Sequence, residues 1–367
     1  MKPIQYLVWF TFVLSYSCFA QNTKKMETIN VSNLIVVPKH YIVTKTTQPI
    51  TIDGKASEKD WAKTSYTDSF IDIEGIKQPK YNTQVKMLWD DTYLYVYAEL
   101  EEPHVWATLK QRDTIIFYNN DFEIFIDPSN TTKNYGEIEI NAFNTVWDLH
   151  LDKPYRVSGK PNNHWDLKEL KSAVNIQGTI NNPKDTDTGW TVEIAIPLKA
   201  ISELKGSHAI PKEGEQWRLN FSRVEWDYDL INGRYYRKKK NSTFLPEYNW
   251  VWSNQKVINM HEPEKWGYIQ FTEKTSAKNV PYKQEIDLKI KQTAYALFRE
   301  TKFNSLKKLQ SLPAETKRFY KVTYDTGKTV NAEFIKTNIG FEFVINSNET
   351  AHTYVINEEG ILNSVTP

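Results

Sequence analysis

The sequence contains a single cysteine, Cys18, which lies in an apolar stretch near the N-terminus. A disulfide within the chain needs two cysteines, and a thiolate metal site needs several, so neither can form. The chain must therefore be stabilised by its hydrophobic core. Its 367 residues are enough for one large β domain or for two domains.

An excess of charge of one sign is also missing, because 46 basic residues stand against 45 acidic residues. Proteins that bind nucleic acid usually carry a clear basic excess or a basic patch. The local exception is RYYRKKK at 234–240, a run that is more typical of a solvated hairpin. We therefore expect no nucleic-acid partner.

One apolar stretch stands out, and it lies within residues 1–20. Its small residues at the −3 and −1 positions predict a secretory signal peptide that is cleaved after Ala20. The stretch is short for a membrane anchor, so no transmembrane anchor is expected in the mature protein. A lipoprotein signal through Cys18 is the less favoured alternative, because Ser15 stands where a leucine is usual. We expect a secreted, periplasmic or cell-surface protein.

Short alternating runs of apolar and polar residues recur between 47 and 272, and Gly, Pro, Asn and Asp separate them. This texture is typical of an all-β sandwich. Residues 21–46 are polar with one apolar stretch and are interpreted as an N-terminal arm. The clearest strand-like runs are 85–103, 121–128, 135–143, 190–198 and 217–226.

The texture changes after Thr272. Apolar residues at helical spacing predict a helix over 283–310, either continuous or divided, and short strands are predicted again over 319–364. The sequence thus predicts an all-β fold, an antiparallel and jelly-roll-like β-sandwich, in residues 47–272. A C-terminal helix and a small β accessory region follow in residues 273–367.

Two predicted strands carry acidic residues on the side that faces away from the core. Period-two alternation places Glu123 on one face of its strand, and Glu139 with Asn141 on one face of the next strand. If these strands are antiparallel neighbours, Glu123 and Glu139 lie close together, and like charges opposite each other destabilise a sheet. Arg223, a calcium ion or sugar hydroxyls could then lie between them. In the alternative register, both carboxylates face water.

Four stretches of the sequence act as motifs, namely ITIDGKASEKDWAKT (50–64), VKMLWDDTYLYVYAEL (85–100), NDFEIFIDPSN (120–130) and KWGYIQF (265–271). In this order they resemble the family 9 carbohydrate-binding modules. The resemblance covers about residues 48–272 and implies a β-sandwich that binds sugars and accompanies polysaccharide-degrading systems. The layout with a C-terminal extension also resembles secreted stand-alone members from polysaccharide-degrading bacteria.

The resemblance implies roles for several single residues. Glu123 matches a glutamate that hydrogen-bonds sugar in the family, and Asn141 matches a polar sugar contact. Phe117, with Tyr118 beside it, stands where the family has a platform tryptophan. Glu139 departs from the pattern, because the family has an arginine at this position.

The loop-rich segment 249–268 is a second source of candidate ligand contacts, since loops on a rigid scaffold often carry function. Met260 aligns near the second platform tryptophan of the family, and His261 follows where a polar residue is usual. Trp252 lies in the same segment. Trp226 is expected to line the same cleft together with Arg223.

These residues favour a non-catalytic protein that binds a poly- or oligosaccharide and serves polysaccharide utilisation. The first alternative is a glycoside hydrolase, with Glu123 and Glu139 as paired carboxylates or His261 as an acid or base. The second alternative is a haem-binding sandwich with Met260 or His261 as the ligand. No cofactor is predicted with certainty, and structural calcium is the candidate.

Overall fold

The computed structural model describes residues 26–365, so the predicted signal peptide and its cleavage site lie outside the described residues. The helices in this range are α1 (Lys59–Lys63), α2 (Leu198–Ile201) and α3 (Leu288–Phe303). The strands in chain order are β1 (Glu27–Asn30), β2 (His40–Lys45), β3 (Ile71–Asp72), β4 (Thr83–Trp89), β5 (Tyr93–Glu101), β6 (Asp121–Asp127), β7 (Tyr135–Asn141), β8 (Val146–Leu151), β9 (Pro161–Asn162), β10 (Lys171–Gln177), β11 (Gly189–Pro197), β12 (Gln216–Glu225), β13 (Tyr228–Ile231), β14 (Arg234–Arg237), β15 (Lys239–Lys240), β16 (Thr243–Phe244), β17 (Tyr248–Val251), β18 (Gly267–Thr272), β19 (Lys317–Asp325), β20 (Lys328–Lys336), β21 (Phe341–Asn346), β22 (Thr353–Asn357) and β23 (Leu362–Val365).

The larger sheet curls into the two layers of a β-sandwich, as the sequence predicts. Its strands follow the order β10-β11-β5-β4-β2-β18-β12-β6-β7-β8-β9, with β17 beside β12 and β3 beside β17. Strand β12 connects the two layers, because it pairs with strands on both of its edges. One of its edges pairs with β18 over residues 216–219 and with β17 over 222–225, while the other edge pairs with β6.

The main core lies between the two layers, where apolar side chains of β4, β5 and β11 meet those of β6, β7 and β12. Tryptophan fills much of this space, since Trp89, Trp190, Trp217, Trp250 and Trp252 are all almost completely buried. Most of the abundant tryptophan is therefore core rather than ligand-binding surface, which composition alone does not reveal.

The segment predicted as an N-terminal arm supplies one strand to each sheet. Strand β1 pairs in parallel with β19 of the smaller sheet. Strand β2 lies between β4 and β18 of the larger sheet, parallel to both, and its Val43 is buried in the main core. The sandwich therefore starts before residue 47, and it contains two parallel pairings within a mainly antiparallel sheet.

The "IDG" turn before α1 is held by a buried carboxylate. Glu193 of β11 accepts hydrogen bonds from the backbone N–H groups of Asp53 (3.0 Å) and Gly54 (3.2 Å), and from Nε1 of Trp61 (3.1 Å). Gly54 has φ of 81°, and a Cβ there would lie 2.8 Å from the backbone nitrogen of Asn175. Only glycine fits this turn without strain, because it combines a left-handed backbone with close packing.

The C-terminal residues form a helix packed on a six-stranded sheet. Helix α3 and the following 3-10 turn, Lys307–Ser311, occupy the predicted helical range and divide it near residue 304. They cover the sheet β1-β19-β20-β21-β22-β23, which has an apolar core of its own. The predicted helix and small β extension are confirmed.

Buried ion pairs join α3 to the larger sandwich. Glu262 is fully buried and contacts Arg299 of α3, while Arg156 binds Glu262 at 2.9 Å and Glu264 at 2.8 Å. Gln292 of α3 also donates to the backbone oxygen of Glu264. Helix α3 thus supports the segment around residues 258–262.

Within residues 26–365, no helix is long and apolar enough to cross a membrane.

Candidate functional site

A cleft lies on the side of β6, β7 and β8 that faces away from the main core. Phe122, Ile124 and Ile126 of β6 point into that core, so alternation turns Glu123 and Phe125 to the opposite side. This side is not solvated, because every residue of β6 and β7 is buried. Loops cover it and leave a cleft of about 380 Å³.

Three segments cover the strands and form the rim of the cleft. The 3-10 turn Ile116–Tyr118 supplies Phe117, and residues 247–261 supply much of the opposite wall. Tyr155 comes from the loop after β8. The predicted ligand face of β6 and β7 is therefore the floor of a cleft.

The floor carries a cluster of carboxylates. Glu123 and Glu139 are direct cross-strand partners in the antiparallel β6–β7 pair, so the closer of the two predicted registers is the one observed. One carboxyl oxygen from each of Asp121, Glu123 and Glu139 lies within 4.8 Å of the other two. Glu137 of β7 lines the same cleft.

Burial and mutual repulsion disfavour the ionised forms of these groups. Burial raises the pKa of Glu123 to about 7. Burial, followed by the nearby charge of Glu123, holds the pKa values of Glu137 and Glu139 well above their usual range. The backbone N–H of Phe117 donates to Glu139 at 2.9 Å, which fixes this carboxylate without neutralising it.

Aromatic rings form the walls above the acidic floor. Phe117, Phe125, Trp147 and Tyr155 all line the cleft. Trp147 stands directly opposite Glu139 in the β7–β8 pairing, and its Nε1–H is buried without a hydrogen-bond partner. An unpaired buried donor beside carboxyl groups suits a ligand that offers both hydroxyl oxygens and hydroxyl hydrogens.

His261 closes one end of the cleft as a neutral side chain. Its Nδ1 lies 2.9 Å from the Tyr135 hydroxyl, and its ring stands edge-on to Tyr155 at 4.5 Å. Burial, with a smaller effect of the Arg156 charge, lowers the pKa of His261 to about 3. At neutral pH the cleft therefore gains no positive charge from this histidine.

Five predicted site residues line this one cleft. They come from three separate parts of the chain: the turn before β6, the β6–β7 pair and the loop after β17. They are Phe117, Glu123, Glu139, Met260 and His261.

Two predicted residues lie close to the cleft but do not line it. Tyr118 packs edge-on against Phe117, with its ring 43% exposed, and it contributes to a neighbouring aromatic groove with Arg237. Asn141 is fully buried and holds a turn, because its Oδ1 accepts from the backbone N–H groups of Phe143 and Thr145. The structure gives Asn141 no free group for a ligand.

Three other predicted residues are placed elsewhere. Arg223 has the same orientation in β12 as the core residues, so it faces away from Glu123 and pairs with Glu102 (2.9 Å) and Glu225 (2.8 Å). Trp252 packs in the main core. Trp226 supports the wall from behind by donating from Nε1 to the backbone oxygen of Phe117.

Several residues that line the cleft were not selected by the sequence reasoning, and among them are Trp147, Tyr155, Glu247 and Asn249. Alternation in VWDLHL places Trp147 on one face with Leu149 and Leu151, and this apolar pattern alone predicts a core face. Only the pairing of Trp147 with Glu139 assigns it to the cleft. Tyr155 begins a 3-10 turn and Glu247 lies in a loop, where no strand periodicity indicates which way a side chain points.

The fold and the cleft define a β-sandwich domain whose cleft is lined by buried carboxyl groups and aromatic rings. The family described as carbohydrate family 9 binding domain-like matches residues 52–273, which is more than half of the chain. The chain belongs to this family.

Curated relatives share only part of their length with this chain. It is 30% identical over 153 residues to endo-1,4-beta-xylanase C of Paenibacillus barcinonensis, which is 41% of this chain and 12% of that enzyme. It is 26% identical over 180 residues to endo-1,4-beta-xylanase A of Thermotoga maritima, which is 49% of this chain and 15% of that enzyme.

Two solved structures of a family 9 carbohydrate-binding module from Caldicellulosiruptor kristjanssonii are also similar. The complex with cellotriose is 17% identical, with a TM-score of 0.42 over 67% of this chain and 100% of that chain. The complex with glucose is 17% identical, with a TM-score of 0.43 over 66% of this chain and 99% of that chain.

Proposed function

We propose that the protein binds an uncharged oligo- or polysaccharide in the cleft between β6–β8 and the 247–261 segment, without catalysis. The observation that carries this proposal is the meeting of buried carboxylates and aromatic rings in one cleft of a carbohydrate family 9 domain. The carboxylates supply acceptors for sugar hydroxyls, and the rings supply flat apolar surfaces for the C–H face of a pyranose.

The size and composition of the cleft agree with this ligand class. Its volume of about 380 Å³ falls within the range of small-molecule sites, about 300–1,000 Å³. Glu123 and Glu139 lie on rigid strands, so they are positioned before a ligand arrives. Asn249 adds an amide that can both donate and accept.

The charged residues that line the cleft indicate which class of saccharide it can bind. Glu123, Glu137, Glu139 and Glu247 line the cleft, and no lysine or arginine among the described residues lines it. Uronic acids and sulfated sugars would bring negative charges that no basic side chain in the cleft can pair, and burying an unpaired charge is unfavourable. Uncharged glycans are therefore the ligand class that the site favours.

The carboxylate geometry argues against glycoside hydrolysis. Catalytic carboxyl groups flank the scissile bond and are separated by about 5–5.5 Å in retaining enzymes and about 6.5–9.5 Å in inverting enzymes. Glu123 and Glu139 are direct cross-strand neighbours on one sheet surface, so both approach a ligand from the same side instead of flanking a bond from opposite sides. His261, with its low pKa, is a poor base at neutral pH.

The haem alternative gains no support from the cleft. Met260 and His261 do line it, but so do four glutamates, and a porphyrin needs apolar surfaces against both of its faces. The sequence prediction of export to the periplasm, the cell surface or the medium forms part of the proposal, because the polysaccharides concerned are found outside the cell.

The experiment is a binding screen of the full chain against uncharged and acidic glycans of matched length. The named relatives are xylanases, so xylan and cellulose fragments are the first uncharged ligands, and alginate and polygalacturonate fragments are the acidic set. We expect calorimetric binding to at least one uncharged ligand and none to the acidic set. Preferential binding of the acidic set, or release of reducing sugar, would contradict the proposal.

A further inference from the structure

Asp121 has two buried carboxyl oxygens with no hydrogen-bond partner. It stands at the start of β6, on the same face as Glu123, and it does not line the cleft. One of its oxygens lies within 4.8 Å of oxygens of Glu123 and Glu139. The three side chains are 0%, 4% and 1% exposed, so this is an interior cluster and not a set of solvated surface acids.

Such a cluster lacks a positive partner within the described residues 26–365. No lysine, arginine or histidine there forms a salt bridge with any of the three carboxylates, and Arg223 is engaged with Glu102 and Glu225 on the other face of the sheet. Buried charges in proteins are generally paired or coordinate a metal ion. Three neighbouring carboxylates without either would repel one another strongly.

We propose that Asp121, Glu123 and Glu139 bind a hard divalent cation, of the calcium class, at the base of the cleft. All-oxygen ligands select calcium or magnesium over softer metals. Calcium takes ligands at about 2.3–2.6 Å, so oxygens on opposite sides of the ion lie about 4.6–5.2 Å apart, a span that the observed spacing fits. Calcium also tolerates the irregular geometry that two fixed strands impose, whereas magnesium requires a near-ideal octahedron.

The neighbouring contacts agree with this assignment. One oxygen of Glu139 accepts from the backbone N–H of Phe117, which holds the side chain in place. Calcium binds six to eight oxygens, so water completes the coordination when the cleft is empty. Glu123 and Glu139 line the cleft, so a sugar hydroxyl can replace one of these waters. Only this last step rests on the proposed saccharide function.

The test uses the full chain, stripped with EDTA, dialysed and titrated with calcium chloride in the absence of any sugar. We expect one calcium per chain by calorimetry and a rise in Tm of about 4 °C at a concentration a hundred times the Kd. Magnesium should bind more weakly. Absence of both heat and Tm shift at millimolar calcium would overturn the proposal, because the cluster would then be neutralised by protons.

Asp121→Asn tests the cation site without changing the lining of the saccharide cleft, since Asp121 does not line that cleft. Calcium affinity should fall at least tenfold. The Tm of the metal-free protein should rise, because one of three repelling charges is gone. Asp68→Asn is the matched control, because Asp68 is exposed and paired with Lys39 far from the cluster, and it should bind calcium like the wild type. Equal calcium affinity of Asp121→Asn and the wild type would contradict the assignment, whatever the outcome of the sugar screen.

Discussion

The carboxylate of Glu139 accepts a hydrogen bond from the backbone N–H of Phe117 at 2.9 Å. This contact joins the acidic floor of the cleft to its aromatic wall. The ring and the carboxylate are therefore positioned together, and in the proposed complex a sugar stacked on Phe117 would place one of its hydroxyls near Glu139. The cleft acts as one preorganised unit rather than as separate contacts.

The aromatic wall yields the first prediction. Phe117→Ala and Trp147→Ala remove ring surface from the cleft and should each weaken saccharide binding at least tenfold, because aromatic side chains dominate the binding energy of such sites. Phe319→Ala is the matched control, since Phe319 is an exposed ring on β19 of the smaller sheet. Calorimetry with the best uncharged ligand measures all three. Equal affinity of the three variants and the wild type would exclude stacking in this cleft.

Glu139→Gln tests the repulsion within the floor. Glutamine keeps an oxygen for the Phe117 N–H but removes one of the clustered charges. In EDTA, the Tm of this variant should exceed that of the wild type by a few degrees, since repulsion among buried carboxylates is relieved. Neither protein should release reducing sugar from any glycan. A lower Tm in EDTA would show that Glu139 is stabilising as an ion, and turnover by the wild type would indicate an enzyme.

Alternation along β6 and β7 was enough to place Glu123 and Glu139 on one face. The same rule applied to WRLNFSRVEW would have placed Arg223 with the core residues Trp217, Leu219 and Phe221, on the side that the structure shows. The parity of the core-facing residues in a strand therefore also fixes the direction of its charged residues.

Other parts of the site could not be predicted from local patterns. The outer face of β6 is buried because residues 247–261 fold over it, and this contact depends on residues more than a hundred positions away. The role of Asn141 depends on a tight turn that ends at Thr145, where local hydrogen bonds already occupy the side-chain oxygen of Asn141. Long-range packing and turn chemistry, rather than periodicity, determine these positions.

The pH prediction concerns Glu193, which holds the "IDG" turn. Burial raises the pKa of Glu193 to about 7 despite its hydrogen bonds, against about 4.3 in an unfolded chain. Between these two values the folded state binds more protons than the unfolded state, so this group stabilises the fold progressively as the pH falls from about 7.5 to 5.

Glu193→Gln removes this titration. The Tm of the wild type relative to the variant should therefore rise as the pH is lowered through that window, and subtracting the variant cancels the other titrating groups. Thermal melts at three or four pH values measure it. A Tm difference that is constant, or that grows toward high pH, would show that the three N–H donors keep Glu193 ionised.

Strand β2 yields a prediction about truncation. A chain of residues 47–272 lacks β2, which pairs with both β4 and β18 and buries Val43 in the core. It should fail to unfold cooperatively, whereas residues 36–272 should give a cooperative transition at a Tm below that of the full chain. Circular dichroism melts compare the two. Equal cooperative transitions for both fragments would show that β2 is dispensable.

Glu123→Gln tests the central claim most directly, because it replaces one carboxyl oxygen at the centre of the proposed site with an amide nitrogen. The measurement is made at about pH 8, where Glu123, with a pKa of about 7, is mostly ionised. The variant keeps the shape of the side chain but loses a charged acceptor, and hydrogen bonds to charged groups contribute about 1.5–3 kcal/mol each. Calorimetry with the best uncharged glycan, in EDTA and again in calcium, should give a Kd at least about tenfold weaker than that of the wild type. Phe319→Ala should bind like the wild type. An unchanged Kd for Glu123→Gln under both conditions would contradict the account and place the saccharide site elsewhere on the protein.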